Sequence, residues 1–250
     1  KCTLCRRVLA VVAVAAVRRC CALRMPSVLG GLAASIAATA SFLLLLASVA
    51  RATTILASTF KGGVVIGTDS RTSQGTFVVN RLSDKIAPVY PAGIFLARSG
   101  NTADTQYVAG VVEAKLDAYR TQFGRDPTVR AAATVTRNLC YANKGGISAS
   151  FICAGWDARE GSSVFVVDKG GTLLEQTFAI GGSGSPFAMG YCDLHLRPGL
   201  DRDEGVMHVQ KAIELAIGRD GSSGGVIRLC VVSSAGVERW TVTPSEQAEG

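Results

Sequence analysis

Six short segments carry the side chains that could do chemistry. They are Thr53-Thr54-Ile55, Gly67-Thr68-Asp69-Ser70-Arg71, Asp84-Lys85, Arg98-Ser99-Gly100, Gly181-Gly182-Ser183-Gly184-Ser185 and Arg219-Asp220-Gly221-Ser222-Ser223-Gly224-Gly225. A threonine hydroxyl is a poor nucleophile until a base takes its proton. If Thr53 became the first residue of the chain, its own α-amine could serve as that base. Such an amine has an ordinary pKa of about 8, so a useful fraction is unprotonated near neutrality. Taken singly, the segments have plainer readings. Asp69 and Lys85 read as a surface ion pair, Gly100 as a turn entering a helix, and Ser183, Asp220 and Ser223 as turn residues. His195 and His208 are the only histidines, and they read as solvated or packed side chains rather than a triad or a metal site.

The elements that must position these segments follow from periodicity. Thr54 to Phe60 alternates and is rich in β-branched residues, so it reads as a strand. Lys61-Gly62-Gly63 is a turn, and Val64 to Gly67 returns. Ile86 to Val89 and Ile94 to Ala97 suggest a second hairpin, broken by Pro91 and Gly93. The period then changes. Asn101 is a good N-cap, and Val108, Val111, Val112 and Leu116 share one face of a helix ending near Gly124. A second helix begins at Pro127, with Val129, Ala132, Ala133 and Thr136 on one face, and Gly145-Gly146 stops it. Strands return at Ala149 to Ala154, Val164 to Val167 and Leu173 to Ile180. Two more helices fit Pro186 to Leu194 and Asp203 to Arg219. The chain closes with a hairpin of Gly225 to Val232 and Val237 to Val242. The order is strands, two helices, strands, two helices, strands. That is not an alternating βαβ rhythm; it suits antiparallel sheets with helix pairs on their outer faces, an α+β architecture.

The chain has 250 residues, 48% of them hydrophobic. One domain of about 200 residues with an extension accounts for that length. The formal net charge of +7 lies wholly in residues 1–52, which carry Lys1, Arg6, Arg7, Arg18, Arg19, Arg24 and Arg51 and no acidic residue. The remaining 19 basic residues equal the 19 acidic ones, so the body carries no nucleic-acid footprint. Of eight cysteines, Cys2 and Cys5 have CxxC spacing without a second pair at a zinc-site distance. Cys140, Cys153, Cys192 and Cys230 sit among apolar residues and read as small hydrophobes. The front segment has Met25 as a candidate initiator, an uncharged run from Leu29 to Ala50, and an Ala50-Arg51-Ala52 ending. A basic start, an apolar run and an A-x-A ending resemble a secretory signal peptide, the run is long enough to be a candidate membrane span, and a removable propeptide is the competing reading.

All six segments, in this order and at these spacings, resemble proteasome beta subunits, which belong to the N-terminal nucleophile hydrolases. The resemblance runs from Thr53 to the final hairpin. It implies a four-layer αββα sandwich of antiparallel sheets, with residues 1–52 a removable extension and 53–250 the hydrolase domain. It also implies roles. Thr53 is the nucleophile, and Lys85 lies beside its hydroxyl, where a positive charge disfavours protonation of the amine and stabilises a developing alkoxide. Asp69 pairs with Lys85. Gly100 offers a backbone N–H to the oxyanion. Asp220 and Ser223 steady the amino-terminal threonine, and Ser183 completes that network. Arg98 matches the floor of the first specificity pocket, where a guanidinium would pair with an acidic side chain, as in the caspase-like subunit. Thr72 and Ser73 would lie along the substrate as a strand edge.

The implied activity is that of a threonine endopeptidase cutting after acidic residues in ubiquitin-dependent degradation, in cytoplasm and nucleus. The implied partners are other beta subunits, the alpha ring and unfolded protein substrates, with no metal, organic cofactor, nucleic acid or membrane. The family usually has Gly before the nucleophile. Ala52 stands there in this chain, and its Cβ hinders the strained geometry of self-cleavage. Two other readings are a non-catalytic beta subunit that only builds the ring and an exported threonine hydrolase.

Overall fold

The computed structural model describes residues 53–74 and 77–243. The expectations for the extension, for Cys2 and Cys5, and for Ala52 lie outside the described residues. Two five-stranded antiparallel sheets form the body. The first has β1 (Thr54–Phe60) and β2 (Gly63–Asp69) at its centre, flanked by β10 (Phe178–Gly182), β11 (Ile227–Ser233) and β12 (Gly236–Val242), in the order β10-β1-β2-β11-β12. The second runs in chain order through β5 (Ile86–Tyr90), β6 (Ile94–Gly100), β7 (Ala149–Asp157), β8 (Gly161–Val167) and β9 (Leu173–Gln176).

Both faces of β1 and β2 are buried. Ile55, Ala57, Val64 and Ile66 face the second sheet and meet Ile86, Phe95, Ala97, Ile152 and Val164. The alternate residues Leu56 and Val65 face outward. They pack under α3 (Ser185–His195) and α4 (Arg202–Arg219) against Ala188, Cys192, Val209, Ala212 and Ile213. On the far side, Leu96, Phe151, Cys153 and Phe165 pack under α1 (Thr102–Phe123) and α2 (Val129–Ala142), against Val108, Val112, Leu116, Val129 and Ala133. Three apolar layers between two helix pairs and two sheets make the αββα sandwich, as the element order and the resemblance implied.

The helix ends follow the sequence signals. The Asn101 side chain accepts hydrogen bonds from the Ala103 and Asp104 amides at 2.9 and 3.3 Å, and Gly124 closes α1 with φ 63°. The second helix starts at Val129 rather than Pro127, because the Thr128 hydroxyl caps the Ala131 amide at 3.2 Å. All four cysteines of the body are free and buried. Burial pushes the thiols of Cys192 and Cys230 up to about 12, so they stay neutral fillers.

Two expectations need correction. The run Leu173 to Ile180 is two strands, not one: β9 pairs with β8, while β10 pairs with β1 in the other sheet. The chain changes sheets at Thr177, whose carbonyl accepts the Thr59 amide at 2.8 Å and the Thr59 hydroxyl at 3.0 Å. A ribbon of β3 (Thr72–Gln74) and β4 (Phe77–Asn80) also goes beyond what the pattern suggested. Phe77, Val78 and Val79 are exposed there, so no alternation marks the strand. Among the described residues, no helix is long and apolar enough to cross a membrane.

Ile66 is fully buried between the sheets. Ile66→Ala should cost about 2–5 kcal/mol through lost transfer energy and a residual cavity. Urea unfolding of the full chain checks this: the midpoint should fall with the slope unchanged.

Candidate active site

The first sheet supplies most of the polar cluster. Thr53 immediately precedes β1, and Asp69 ends β2. The register Ile55↔Thr68 holds the start of one strand beside the end of the other. One Asp69 oxygen accepts the Thr54 amide at 2.9 Å. The other accepts the amides of Arg71 and Gly224 at 3.2 and 3.1 Å. Three backbone donors and one cation therefore share a carboxylate that is 0% exposed.

The cation is Lys85, which stands just before β5 on the segment that leads into the second sheet. Its Nζ donates to Asp69 at 2.6 Å and to the Thr53 hydroxyl at 3.1 Å. Lys85 is 6% and Thr53 5% exposed. The plainer reading of Asp69 and Lys85 as a surface ion pair is therefore overturned: the pair is buried. Burial holds the Lys85 ammonium below the ordinary lysine range, opposed by its attraction to Asp69.

A second branch reaches the Thr53 nitrogen. That nitrogen donates to the Ser183 hydroxyl at 3.1 Å, and Ser183 donates to Asp220 at 2.7 Å. Ser223 also donates to Asp220 at 2.7 Å, and the hydroxyls of Ser223 and Thr54 lie 2.8 Å apart. Burial alone would raise the Asp220 carboxyl. The hydrogen bonds from Ser183, Ser223 and the backbone amides of Ser222 and Ser223 outweigh it and hold the carboxyl below its ordinary range. Gly182 brings Ser183 close. Its φ is 90°, and a Cβ there would collide with the Thr53 carbonyl.

Six of the expected residues thus form one bonded network: Thr53, Asp69, Lys85, Ser183, Asp220 and Ser223. Gly100 ends β6 with φ 118°, a conformation that only glycine adopts without strain. Its neighbour Ser99 lies against Gly182. Arg98 is half-buried on β6 and donates to the Asp84 carbonyl at 2.6 Å. Among the described residues its buried Nε has no hydrogen-bond partner. Thr72 and Ser73 are half-exposed on β3, whose only strand partner among the described residues is β4. The expected site did not include Thr54, whose amide and hydroxyl join both branches. Its local sequence gave no sign of that, because its partners are 15 and 169 residues away.

Two open hollows of the described surface lie elsewhere, one lined by Gln176 to Ile180 with Met189 and Asp193, the other by Thr59, Phe60, Ser162 and Glu175 among others. They contain no residue of the network. Convergence of buried polar groups, rather than hollowness, marks the site. Among the described residues, no group of three or more His, Cys, Asp or Glu side chains could hold a metal ion.

A hydroxyl held by a buried lysine, on a residue that a sandwich of two antiparallel sheets carries at the start of its first strand, defines an N-terminal nucleophile hydrolase fold. The relatives of the chain agree. Residues 49–232 match the proteasome subunit family. Proteasome subunit beta type-6 of Dictyostelium discoideum is 44% identical over 187 residues, covering 75% of this chain and 87% of the relative. Proteasome subunit beta type-1 of Saccharomyces cerevisiae is 43% identical over 194 residues, covering 78% and 89%. Proteasome subunit beta type-9 of Homo sapiens is 45% identical over 194 residues, covering 78% and 88%. The chain belongs to the proteasome subunit family.

The Asp220 carboxyl gives a pH prediction. Its pKa is lowered on folding, so its contribution to stability is present above the unfolded value of about 4 and is lost as pH falls through the lower folded value. Unfolding of the full chain and of Asp220→Asn at several pH values should show a constant gap from neutrality down to about pH 4. Below that the gap should close; a gap that widens in acid would contradict the assignment.

Proposed function

We propose that this chain is a catalytic beta subunit of the 20S proteasome core, a threonine endopeptidase that cuts after acidic residues once residues 1–52 have been removed. The observation that carries the reading is the buried contact of the Lys85 ammonium with both the Thr53 hydroxyl and Asp69, at 3.1 and 2.6 Å. A subunit that only built a ring would have no use for two desolvated charges beside a hydroxyl, since replacing such a pair by apolar residues is often neutral or stabilising. In this reading residues 53–250 are the hydrolase domain.

The mechanism follows from the two branches. Removal of the extension converts the Thr53 nitrogen from an amide to an amine. The amine takes the proton of the Thr53 hydroxyl as the oxygen attacks the scissile carbonyl carbon. Lys85 stabilises the oxygen as its charge develops, and the amide of Gly100 receives the new oxyanion. The intermediate collapses, the C–N bond breaks, and the protonated amine returns its proton to the leaving nitrogen. Water then cleaves the Thr53 ester with the amine again acting as base. The Ser183 proton is committed to Asp220, so Ser183 offers the amine a lone pair and orients it.

Arg98 supports the acidic preference. A half-buried guanidinium with a free buried donor is relieved by a carboxylate before the scissile bond. Thr72 and Ser73 offer to the substrate main chain the edge of β3 that pairs with no other strand among the described residues. The partners in this reading are other beta subunits, the alpha ring and unfolded proteins, in cytoplasm and nucleus.

Terminal sequencing and intact mass of the chain in its purified particle test the reading directly. The expected start is Thr53, and Thr53→Ala should remove cleavage after acidic residues. A chain that keeps Ala52 in the particle points instead to a structural subunit. Arg98→Ala should lower kcat/KM for Glu over Leu substrates by about 30-fold or more, the equivalent of about 2 kcal/mol. An unchanged preference would sink the specificity assignment.

A further inference from the structure

Lys85 must reach Thr53 and Asp69 across the gap between the two sheets, yet residues 81–85 that carry it have no regular secondary structure. Such a segment has backbone carbonyls that no ladder satisfies. Side chains take that place for residues 81–84, while the Lys85 carbonyl accepts the Arg98 amide at 2.9 Å. Ser70 donates its hydroxyl to the Arg81 carbonyl. Arg228 donates to the carbonyls of Leu82 and Ser83 at 2.8 and 3.2 Å. Arg98 donates to that of Asp84 at 2.6 Å.

Asp84 is the joint of this arrangement. One carboxylate oxygen accepts the Ile86 amide at 2.9 Å, which closes a tight turn around Lys85. The other accepts Arg239 at 2.8 Å, and the same nitrogen of Arg239 lies 3.2 Å from the Ile86 carbonyl. Arg239 stands on β12, in the first sheet, whereas Asp84 leads into β5, in the second. The pair therefore clamps the two sheets together beside the lysine that bridges them. It is half-exposed, with side chains 35% and 45% accessible. Exposed ion pairs of this kind add little to stability, so its geometry, not its strength, calls for a reason.

We propose that Asp84 and Arg239 are positioning residues for Lys85: the Asp84–Arg239 pair fixes the turn that delivers the ammonium to Thr53. Neither residue touches the reacting atoms. The inference deepens the catalytic reading and in its kinetic arm rests on it.

The test uses the assembled particle and a peptide substrate with Glu before the cleaved bond. Asp84→Asn keeps an acceptor for the Ile86 amide and the carbonyl used by Arg98, and removes only the charge that Arg239 grips. The expected result is a fall in kcat of about tenfold or more with KM within about twofold, because a displaced catalytic group costs rate rather than binding. Arg239→Lys should retain more activity than Arg239→Gln. The double variant Asp84→Asn/Arg239→Gln should be no slower than Asp84→Asn alone, since both remove one interaction. An unchanged kcat, or losses that multiply in the double variant, would overturn the proposal. A structure of the Asp84→Asn particle decides the same point without activity. The Lys85 Nζ should leave hydrogen-bond range of the Thr53 hydroxyl, and a retained 3.1 Å contact would overturn the inference. A parent particle without Thr53-dependent cleavage would defeat the catalytic reading alone and leave positioning to the structural arm.

Discussion

Two charges buried side by side between two sheets set the terms for the rest of the molecule. Removing Asp69 and Lys85 from water costs several kcal/mol for each ion, and attraction repays that only when the geometry is close and the remaining lone pairs are bonded. Both conditions hold: the pair is 2.6 Å apart, and the amides of Thr54, Arg71 and Gly224 complete the carboxylate. Those amides come from β1, from the residue after Ser70 and from the loop after α4. The pair can therefore exist only where three distant parts of the chain converge. Because Asp69 ends a strand of one sheet and Lys85 leads into the other, it also requires a fixed distance between sheets. The close-packed layer of Ile55, Ile66, Ile86 and Ile152 holds that distance.

The balance of forces on Lys85 matters for chemistry. Desolvation pulls its pKa down and Asp69 pulls it up, with desolvation the larger. An ammonium in this condition is poorly solvated and has most to gain from new negative charge nearby, which a threonine oxygen losing its proton would supply. The nitrogen branch is opposite in character. Ser183 donates its O–H to Asp220 and so accepts from the Thr53 nitrogen. One branch thus acts on the oxygen with a cation, and the other on the nitrogen with a lone pair.

Much of this architecture was legible in the sequence, for reasons that can be named. Asn101 and Gly124 mark the ends of α1 because capping is local. The β-branched residues of Thr54 to Phe60, the Lys61-Gly62-Gly63 turn and the returning Val64 to Gly67 mark β1 and β2 because hairpin signals are local. The residues of the network were legible only as an ordered set resembling a family, since no local pattern places Asp69 near Gly224 or Ser183 near Asp220. Where physics is non-local, the sequence was silent. The ribbon of Phe77–Asn80 is exposed and shows no period. Thr177 divides one strand-like stretch between two sheets without a Gly or Pro to mark the break. Asp84 entered the reading only as the residue before Lys85, and its partner Arg239 lies 155 positions away.

Strand register then joins the lysine beside Thr53 to Arg98, the residue proposed to read the substrate. In the pairing of β5 with β6, Ile86 lies opposite Ala97, so the Arg98 amide reaches the Lys85 carbonyl at 2.9 Å. The Arg98 guanidinium bonds the next carbonyl back, that of Asp84. A slip of one residue would turn Arg98 to the other face of the sheet and break both contacts, and the buried positions Leu96 and Ala97 forbid it. The core that holds β6 in place therefore also sets the spacing between Arg98 and Lys85. Under the proposed function, a substituent drawn toward the guanidinium would pull on the same short segment that presents the ammonium, so recognition and catalysis would share one piece of backbone.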